Sequence, residues 1–348
     1  IIIQNIPHSS FPMPESLCIL WHSSLIGGRM HRPDACVSNP VSSAHRGPLP
    51  DEERFVFRPP TRPWLRAWPV VRSMLNRVGA AGMAVATLGY AWWSSPFDVE
   101  YSEIPMPLRG LAQGFEGFRI VQVTDLHTGR STPVSFLRDM VQRVNQMDCD
   151  LVCVTGDLVS ERLRGVGPAC EILAQLRHRT VVTLGNHDYS ESGRPWRDTE
   201  IADALQSRLE SLGISVLRNR AISIERDGGR IWIVGMEDFW STQFRPQEAF
   251  APTDPEEPII ALSHNPDSVF ALEHFGAQWV LAGHTHGGQI RIPVAGPIIL
   301  PVRHKQFDQG LFRVGQSWLY VCRGIGFRLR VRFRCRPEIA SFVLRRCP

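Results

Sequence analysis

The stretch VVTLGNHD, residues 181–188, decides the fold. The largely apolar run Val181–Leu184 is followed at once by Gly185, Asn186, His187 and Asp188. The last three side chains can each bind a metal or move a proton. An apolar strand with polar chemistry at its tip belongs to an open α/β sheet, where sites form just beyond the carboxyl ends of the strands. Four more runs have this form. FRIVQVT (118–124) leads into Asp125-Leu126-His127, and LVCVT (151–155) into Gly156-Asp157. IIALS (259–263) leads into His264-Asn265, and WVLA (279–282) into Gly283-His284-Thr285-His286.

The intervening segments fit the same plan. Thr132-Pro133 opens a helix whose stripe is Phe136, Leu137, Met140, Val141 and Val144. Ala169–Leu176 and Thr199–Leu212 read as helices. Asp227-Gly228-Gly229 between Ile222–Glu225 and Ile231–Gly235 reads as a hairpin, and a β-rich tail from Gln289 to about Leu344 closes the domain.

Composition is that of a globular protein with a sizeable core: 348 residues, 43% hydrophobic and 21% charged. A net charge of +4 without a clustered footprint points to no specific nucleic acid. The eight cysteines form no CxxC pair and read as free thiols rather than a disulfide framework. Residues 1–73 are read as a disordered or over-extended N-terminal region, rich in Pro, Ser and His. Within 74–97, Val78–Trp93 is uncharged over sixteen residues, with Arg72 and Arg77 before it and Asp98, Glu100 and Glu103 after. It is read as a membrane anchor or signal, the alternatives being a cleaved export signal or a helix packed on the domain. Membrane association at the inner (cytoplasmic) membrane follows, with the side left open. Residues 98–117 are read as a linker and 118–348 as the folded domain.

The strand-tip residues converge chemically. Asp125, His127, Asp157, Asn186, His264, His284 and His286 offer seven carboxylate, amide and imidazole ligands. These are too many for one tetrahedral ion and suit two ions sharing a bridging carboxylate. Two ions about 3.5–4 Å apart can clamp the oxygens of an in-line phosphoryl displacement and acidify a shared water. His187 is placed to protonate a leaving alkoxide, with Asp188 holding its other ring nitrogen. Glycines at 156, 185 and 283 let the backbone turn off each strand.

The ordered set D-L-H, G-D, G-N-H-D, S-H-N and G-H-T-H resembles the calcineurin-like metallophosphoesterases over about Phe118–Leu344. GHTHGGQI (283–290) and RPEI (336–339) are most similar to the bacterial membrane-associated subgroup that includes UDP-2,3-diacylglucosamine pyrophosphatases. The resemblance implies a four-layer αββα sandwich, here with an N-terminal hydrophobic segment. It also implies Asp125, His127 and His286 on one metal and Asn186, His264 and His284 on the other. Asp157 would bridge, and His187 would stand beside the scissile phosphate. Mn²⁺, Fe or Zn²⁺ are the implied occupants. The sequence departs from the subgroup after Arg323-Gly324-Ile325-Gly326, where FRLRVRFRCR follows.

Arg328, Arg330 and Arg332, with Arg334 and Arg336, alternate with other residues at strand period. They are read as one basic face, either solvated or contacting an anionic substrate. The expected activity is hydrolysis of a phosphodiester or pyrophosphate, in a lipid-linked substrate such as UDP-2,3-diacylglucosamine. The alternatives are a soluble phosphodiester or nucleotide substrate, and a catalytically inactive binding protein. The oligomeric state is not readable.

Overall fold

The computed structural model describes residues 63–129, 132–160, 163–189 and 199–347, and for 63–71 the backbone alone. The expected disordered or over-extended stretch thus lies outside the described residues up to residue 62. The chain forms two units; among the described residues the smaller contributes 63–79 and the larger begins at Ala80.

In chain order the elements begin with α1 (Pro63–Gly89), β1 (Glu100–Leu108), β2 (Arg119–Val123), α2 (Val134–Val144), β3 (Leu151–Thr155), α3 (Val166–Leu173) and β4 (Thr180–Thr183). Then come α4 (Glu200–Ser211), β5 (Ser215–Val216), β6 (Arg220–Arg226), β7 (Gly229–Gly235), α5 (Pro246–Phe250), β8 (Ile259–Leu262), α6 (Val269–Leu272) and β9 (Trp279–Ala282). The tail carries β10 (Arg291–Ile292), β11 (Gly296–Pro297), β12 (Gly310–Val314), β13 (Ser317–Val321) and β14 (Glu338–Arg346).

Two six-stranded sheets result, ordered β1-β14-β2-β3-β4-β5 and β12-β13-β9-β8-β7-β6. Strands β2, β3, β4 and β5 are parallel neighbours, as are β7, β8, β9 and β13. Their carboxyl ends can therefore gather at one edge of each sheet. Central strands buried on both faces need continuous apolar runs. That is why LVCVT and WVLA are wholly buried. Asp227 (φ 51°) and Gly228 (φ 74°) turn the β6–β7 hairpin with the left-handed dihedrals that an Asp-Gly pair supplies.

Three apolar cores alternate with the sheets. One joins α2, α3 and α4 to the outer face of the first sheet through Leu137, Leu173 and Leu205. The second lies between the sheets, where Met106 and Phe342 meet Ile233 and Leu281. The third packs α5 and α6 on the second sheet around Phe250 and Leu272. The order is helix, sheet, sheet, helix. Each fully buried Leu or Phe contributes about 1.5–3 kcal/mol of transfer free energy.

Two expectations change. Residues 98–117 are not a linker, because β1 forms the edge of the first sheet, parallel to β14 from Glu100↔Glu338 to Leu108↔Arg346. Pro105 and Pro107 argue against a central strand but suit an edge, where the missing N–H faces away from the partner. The hydrophobic segment 74–97 also ends differently from a span. After α1 it passes through a π-helical turn at Tyr90–Ser94, and Ala91, Ser95 and Pro96 are buried. Phe97 packs edge-on against Phe136 and Phe327 at 5.1 and 5.8 Å. No helix among the described residues is long and apolar enough to cross a membrane.

Candidate metal centre

Three of the five candidate loops, at 125–127, 156–157 and 283–286, leave their strands through left-handed turns. Asp125, His127, Asp157, His284 and His286 have φ of 58°, 51°, 53°, 72° and 50°. Non-glycine residues enter this region at a cost of about 1–3 kcal/mol, and such residues cluster at functional sites. Hydrogen bonds between loops hold these turns. Asp125 N–H donates to the Gly156 carbonyl and His127 N–H to the Asp157 carbonyl, each at 3.0 Å. His284 N–H donates to Asp125 Oδ2 at 3.2 Å.

The glycines act in two ways. Gly156 has φ +90°. Gly185 has an ordinary extended φ of −103°, but a Cβ there would collide with Oδ1 of Asp157. Close approach, rather than turning, requires that glycine.

The side chains form two adjoining clusters able to hold a metal ion, Asp125/His127/His286 and Asp157/His264/His284. In the first, His286 Nε2 is 3.2 Å from Asp125 Oδ1 and 2.9 Å from His127 Nε2. In the second, His264 Nε2 is 3.2 Å from Asp157 Oδ2. That same oxygen is 3.6 Å from His127 Nε2 in the first cluster. Asp157 stands between the two.

The imidazole tautomers fit ligation. His264 Nδ1 faces the Thr155 carbonyl at 2.8 Å, and His284 Nε2 faces the Pro301 carbonyl at 2.7 Å. A carbonyl only accepts, so these nitrogens carry hydrogen and leave His264 Nε2 and His284 Nδ1 for a metal. Asp125 Oδ1, Asn186 Oδ1 and His264 Nε2 are buried without a hydrogen-bond partner, the last despite its approach to Asp157. Buried polar atoms are normally satisfied. Three orphans on three candidate ligands, all oxygen or imidazole nitrogen, fit divalent cations.

Electrostatics support the same view. Burial pushes His127 and His284 down to about 3, so both rings are neutral donors at ordinary pH. Burial also raises Asp125 to about 6. Burial would raise Asp157 too, but His264 and His187 together hold it well below the usual carboxylate range. Burial lowers His264, yet the Asp157 carboxylate carries it up to about 10. The centre thus holds a carboxylate–imidazolium pair that a cation can replace.

His187 lies at this centre, its Nε2 4.0 Å from Asp157 Oδ2 and its ring 5.3 Å from that of His127. Its main-chain N–H donates to Asp157 Oδ1 at 3.0 Å. The role expected of Asp188 is corrected. Its two carboxylate oxygens accept from the N–H groups of Val159 and Gly185, both at 2.9 Å. It ties the GNHD loop to the neighbouring loop instead of holding the His187 ring.

The basic strand face is also corrected. Residues 328–332 are irregular, and Arg334 turns left-handed at φ 53°. Arg328 is exposed, whereas the guanidinium of Arg330 lies 5.1 Å over the Phe97 ring. Arg332 is fully buried and donates to the carbonyls of Arg323, Gly324 and Gly326 at 3.0, 3.1 and 2.7 Å. Three carbonyl dipoles converging on one cation are satisfied better by an inward arginine than by water.

Sequence reasoning missed the wall beside His284. The Trp240 ring meets that of His284 edge-on at 4.7 Å. Trp240 opens a cavity of about 710 Å³ lined by Phe239, Phe270, Leu300, Val302, Arg303 and Lys305. His304, which lies outside the motifs, also lines it, with Nδ1 2.8 Å from Asp267 Oδ1. The aromatic pair Phe239-Trp240, directly after the buried Glu237-Asp238, was the available signal.

Two sheets, parallel strand tips and a paired carboxylate–imidazole centre define a metallophosphoesterase, a hydrolase of phosphoric ester bonds. The chain belongs to the calcineurin-like phosphoesterase family, whose model matches residues 118–288. It is 33% identical over 230 residues to Phosphodiesterase YaeI of Escherichia coli (strain K12), covering 65% of this chain and 82% of that protein. It is 29% identical over 284 residues to the uncharacterized metallophosphoesterase YkuE of Bacillus subtilis (strain 168), covering 79% and 96%. It is 32% identical over 282 residues to the UDP-2,3-diacylglucosamine pyrophosphatase LpxG of Chlamydia trachomatis serovar D, covering 66% and 84%.

Proposed function

We propose that the chain hydrolyses a phosphodiester or pyrophosphate bond with two divalent ions, and that its substrate is a lipid-linked diphosphate of the UDP-2,3-diacylglucosamine kind. One observation carries the dinuclear reading: Asp157 Oδ2 lies within 3.6 Å of imidazole nitrogens from both clusters. Asp125, His127 and His286 would hold one ion, Asn186, His264 and His284 the other, with Asp157 placed to serve both. When bound, such a pair supplies charge stabilisation for the transferring phosphoryl group and an acidified water. The protein's residues do the rest. His187, at the edge of the pair, passes a proton to the departing oxygen. The neutral rings of His127 and His284 stay available as donors. Asp188 and the inter-loop hydrogen bonds keep the tips rigid, so orientation is settled before substrate arrives.

The apolar cavity next to His284 supports a substrate with an apolar group, and the similarity to LpxG supports a diphosphate. The test is product analysis by ³¹P NMR with UDP-2,3-diacylglucosamine against bis(p-nitrophenyl) phosphate and a soluble dinucleotide. Release of nucleoside monophosphate from the lipid at the highest kcat/KM supports the proposal. Preference for the soluble dinucleotide replaces it with a general phosphodiesterase.

A further inference from the structure

Three separate segments of the larger unit present large apolar side chains to solvent, and main-chain hydrogen bonds join them into one surface. The first is the turn at Tyr90–Ser94, where Trp92 and Trp93 are 44% and 69% exposed. The second is the loop carrying Leu329, 69% exposed. The third is the β10–β11 hairpin and its exit, where Ile292, Val294, Ile298 and Ile299 are 48%, 110%, 57% and 72% exposed. Arg332 N–H donates to the Ala91 carbonyl at 3.0 Å, which couples the first two segments. The Gln289 side chain donates to the Leu329 and Val331 carbonyls, and Phe333 N–H to the Gln289 carbonyl, which couples the second to the third. Scattered exposed apolar residues need no explanation, whereas a joined patch marks an interaction surface.

Charge selects the partner. Between Glu273 and Glu338 the chain has ten Arg or Lys and a single acid, Asp308. That acid is paired to Arg291 at 2.7 Å. Arg303, Lys305 and Arg334 are exposed. Arg323 and Arg336 are paired to Glu338, Glu100 and Asp98, so the aliphatic hairpin tip, the tryptophans and the exposed Arg303, Lys305 and Arg334 are what match an anionic bilayer, whose interface takes up all three. We propose that this surface docks the domain on anionic lipid, with the tip around Val294 entering the headgroup–acyl boundary.

Position gives the docking a consequence. The hairpin leaves the metal centre just after His286 and returns at Pro301, whose carbonyl accepts from His284. A bilayer holding Val294 therefore holds the mouth of the centre at the lipid surface. Docking does not depend on the proposed hydrolysis, so the test needs no turnover.

The experiment uses the full chain with Cys18, Cys36 and Cys347 changed to Ser. An NBD label is placed at Val294→Cys or, as a control on α4's far end, at Leu212→Cys. Each protein is mixed with vesicles of phosphatidylcholine alone or with phosphatidylglycerol added. The proposal expects the label at 294 to brighten, shift to the blue and be quenched by spin-labelled lipid on the anionic vesicles, while the label at 212 stays aqueous. Adding Ile298→Asp beside the first label should abolish its shift and leave hydrolysis of bis(p-nitrophenyl) phosphate unchanged. A chain that sediments with vesicles while the label at 294 stays in water overturns the proposal. So does a shift that grows with protein concentration without lipid, which would mark a face between two copies of the chain. Chelation should not change the label's response, so failure of the hydrolytic reading leaves this one standing.

Discussion

Arg323 Nε lies 3.1 Å from Oε2 of Glu338, and the carboxylate they share belongs to both sheets. Its Oε1 accepts from Ser102 on β1 and from Tyr320 on β13, each at 2.6 Å. This buried polar group clamps the first sheet to the second just behind Gly324, whose Cα hydrogens face Asp125. Burial would raise the Glu338 pKa, but the guanidinium and the two hydroxyls hold it below the ordinary value of 4.5.

Glu338→Gln should therefore cost about 1.5–3 kcal/mol at neutral pH, because it takes from Arg323 its buried charge partner and leaves it Glu100 alone. The pH dependence has a definite sign. A depressed carboxylate contributes its full stabilisation above its unfolded pKa of about 4.3 and loses it as pH falls through the lower folded value. Urea unfolding from pH 7 down to about 3 should show the gap between wild type and variant closing in acid. A gap that stays constant would mean the carboxylate charge contributes nothing.

Metal removal should abolish activity, and a divalent ion should restore it. Asp157→Asn should cost more than any other single ligand change, as read by metal content and kcat/KM together. In the metal-free protein His264 holds its proton up to about 10, whereas His127 and His284 hold none above about 3. Loading at pH 7 should then release about one proton, and affinity should weaken as pH falls. Calorimetry in two buffers of different ionisation enthalpy measures this directly. Zero release would contradict the imidazolium at His264.

His187→Ala should lower kcat by roughly 10²–10⁴ while both ions stay bound. The deficit should shrink for a p-nitrophenol leaving group, which needs no proton. Parallel loss of metal and activity would make His187 a ligand or a structural residue.

Arg332→Leu removes the donor to three carbonyls of the Arg323–Gly326 loop; Gly324 keeps the N–H of Glu338, and the orphaned carbonyls of Arg323 and Gly326 cost about 1–3 kcal/mol each. That loop packs Gly324 and Gly326 against Asp125 and Leu126. The expected result is lower thermal stability together with weaker metal binding. A variant binding metal as wild type does would separate the arginine from the site.

Deleting the chain through Gly117 should yield insoluble protein. The cut removes Ile104, Met106, Leu108, Leu111 and Phe115, all in the core between the sheets. Starting instead at Asp98 keeps β1 and should preserve folding. Equal solubility of the two products would refute the place of β1 in the domain.

The strand tips were legible because each candidate ligand directly follows an apolar run, so chain order alone predicts where they meet. His264 and His284 needed nothing more to be brought together with Asp157. Other features needed the third dimension. The prolines at 105 and 107 disguise β1, since an edge strand tolerates what a central one does not. Arginines at period two suggested a strand, but period cannot reveal three carbonyls awaiting a buried cation. Asp188 looked like a partner for its neighbour because adjacency in sequence hides the amides of Val159 and Gly185. Trp240 carried no motif, and only the fold brings it to His284.

Among the described residues strand β1 pairs with β14 alone, and Ser102 meets Glu338 across 236 residues of chain. A ribosome emits the opening strand long before the closing one exists. Until β14 emerges, Ile104 and Met106 have no strand to lie against, and β2 also lacks its β14 partner. Closing so distant a pair is slow because loop entropy is lost before any contact repays it. Until β14 is made the first sheet stays open at β1 and β2, the interval in which a chaperone would be of most use.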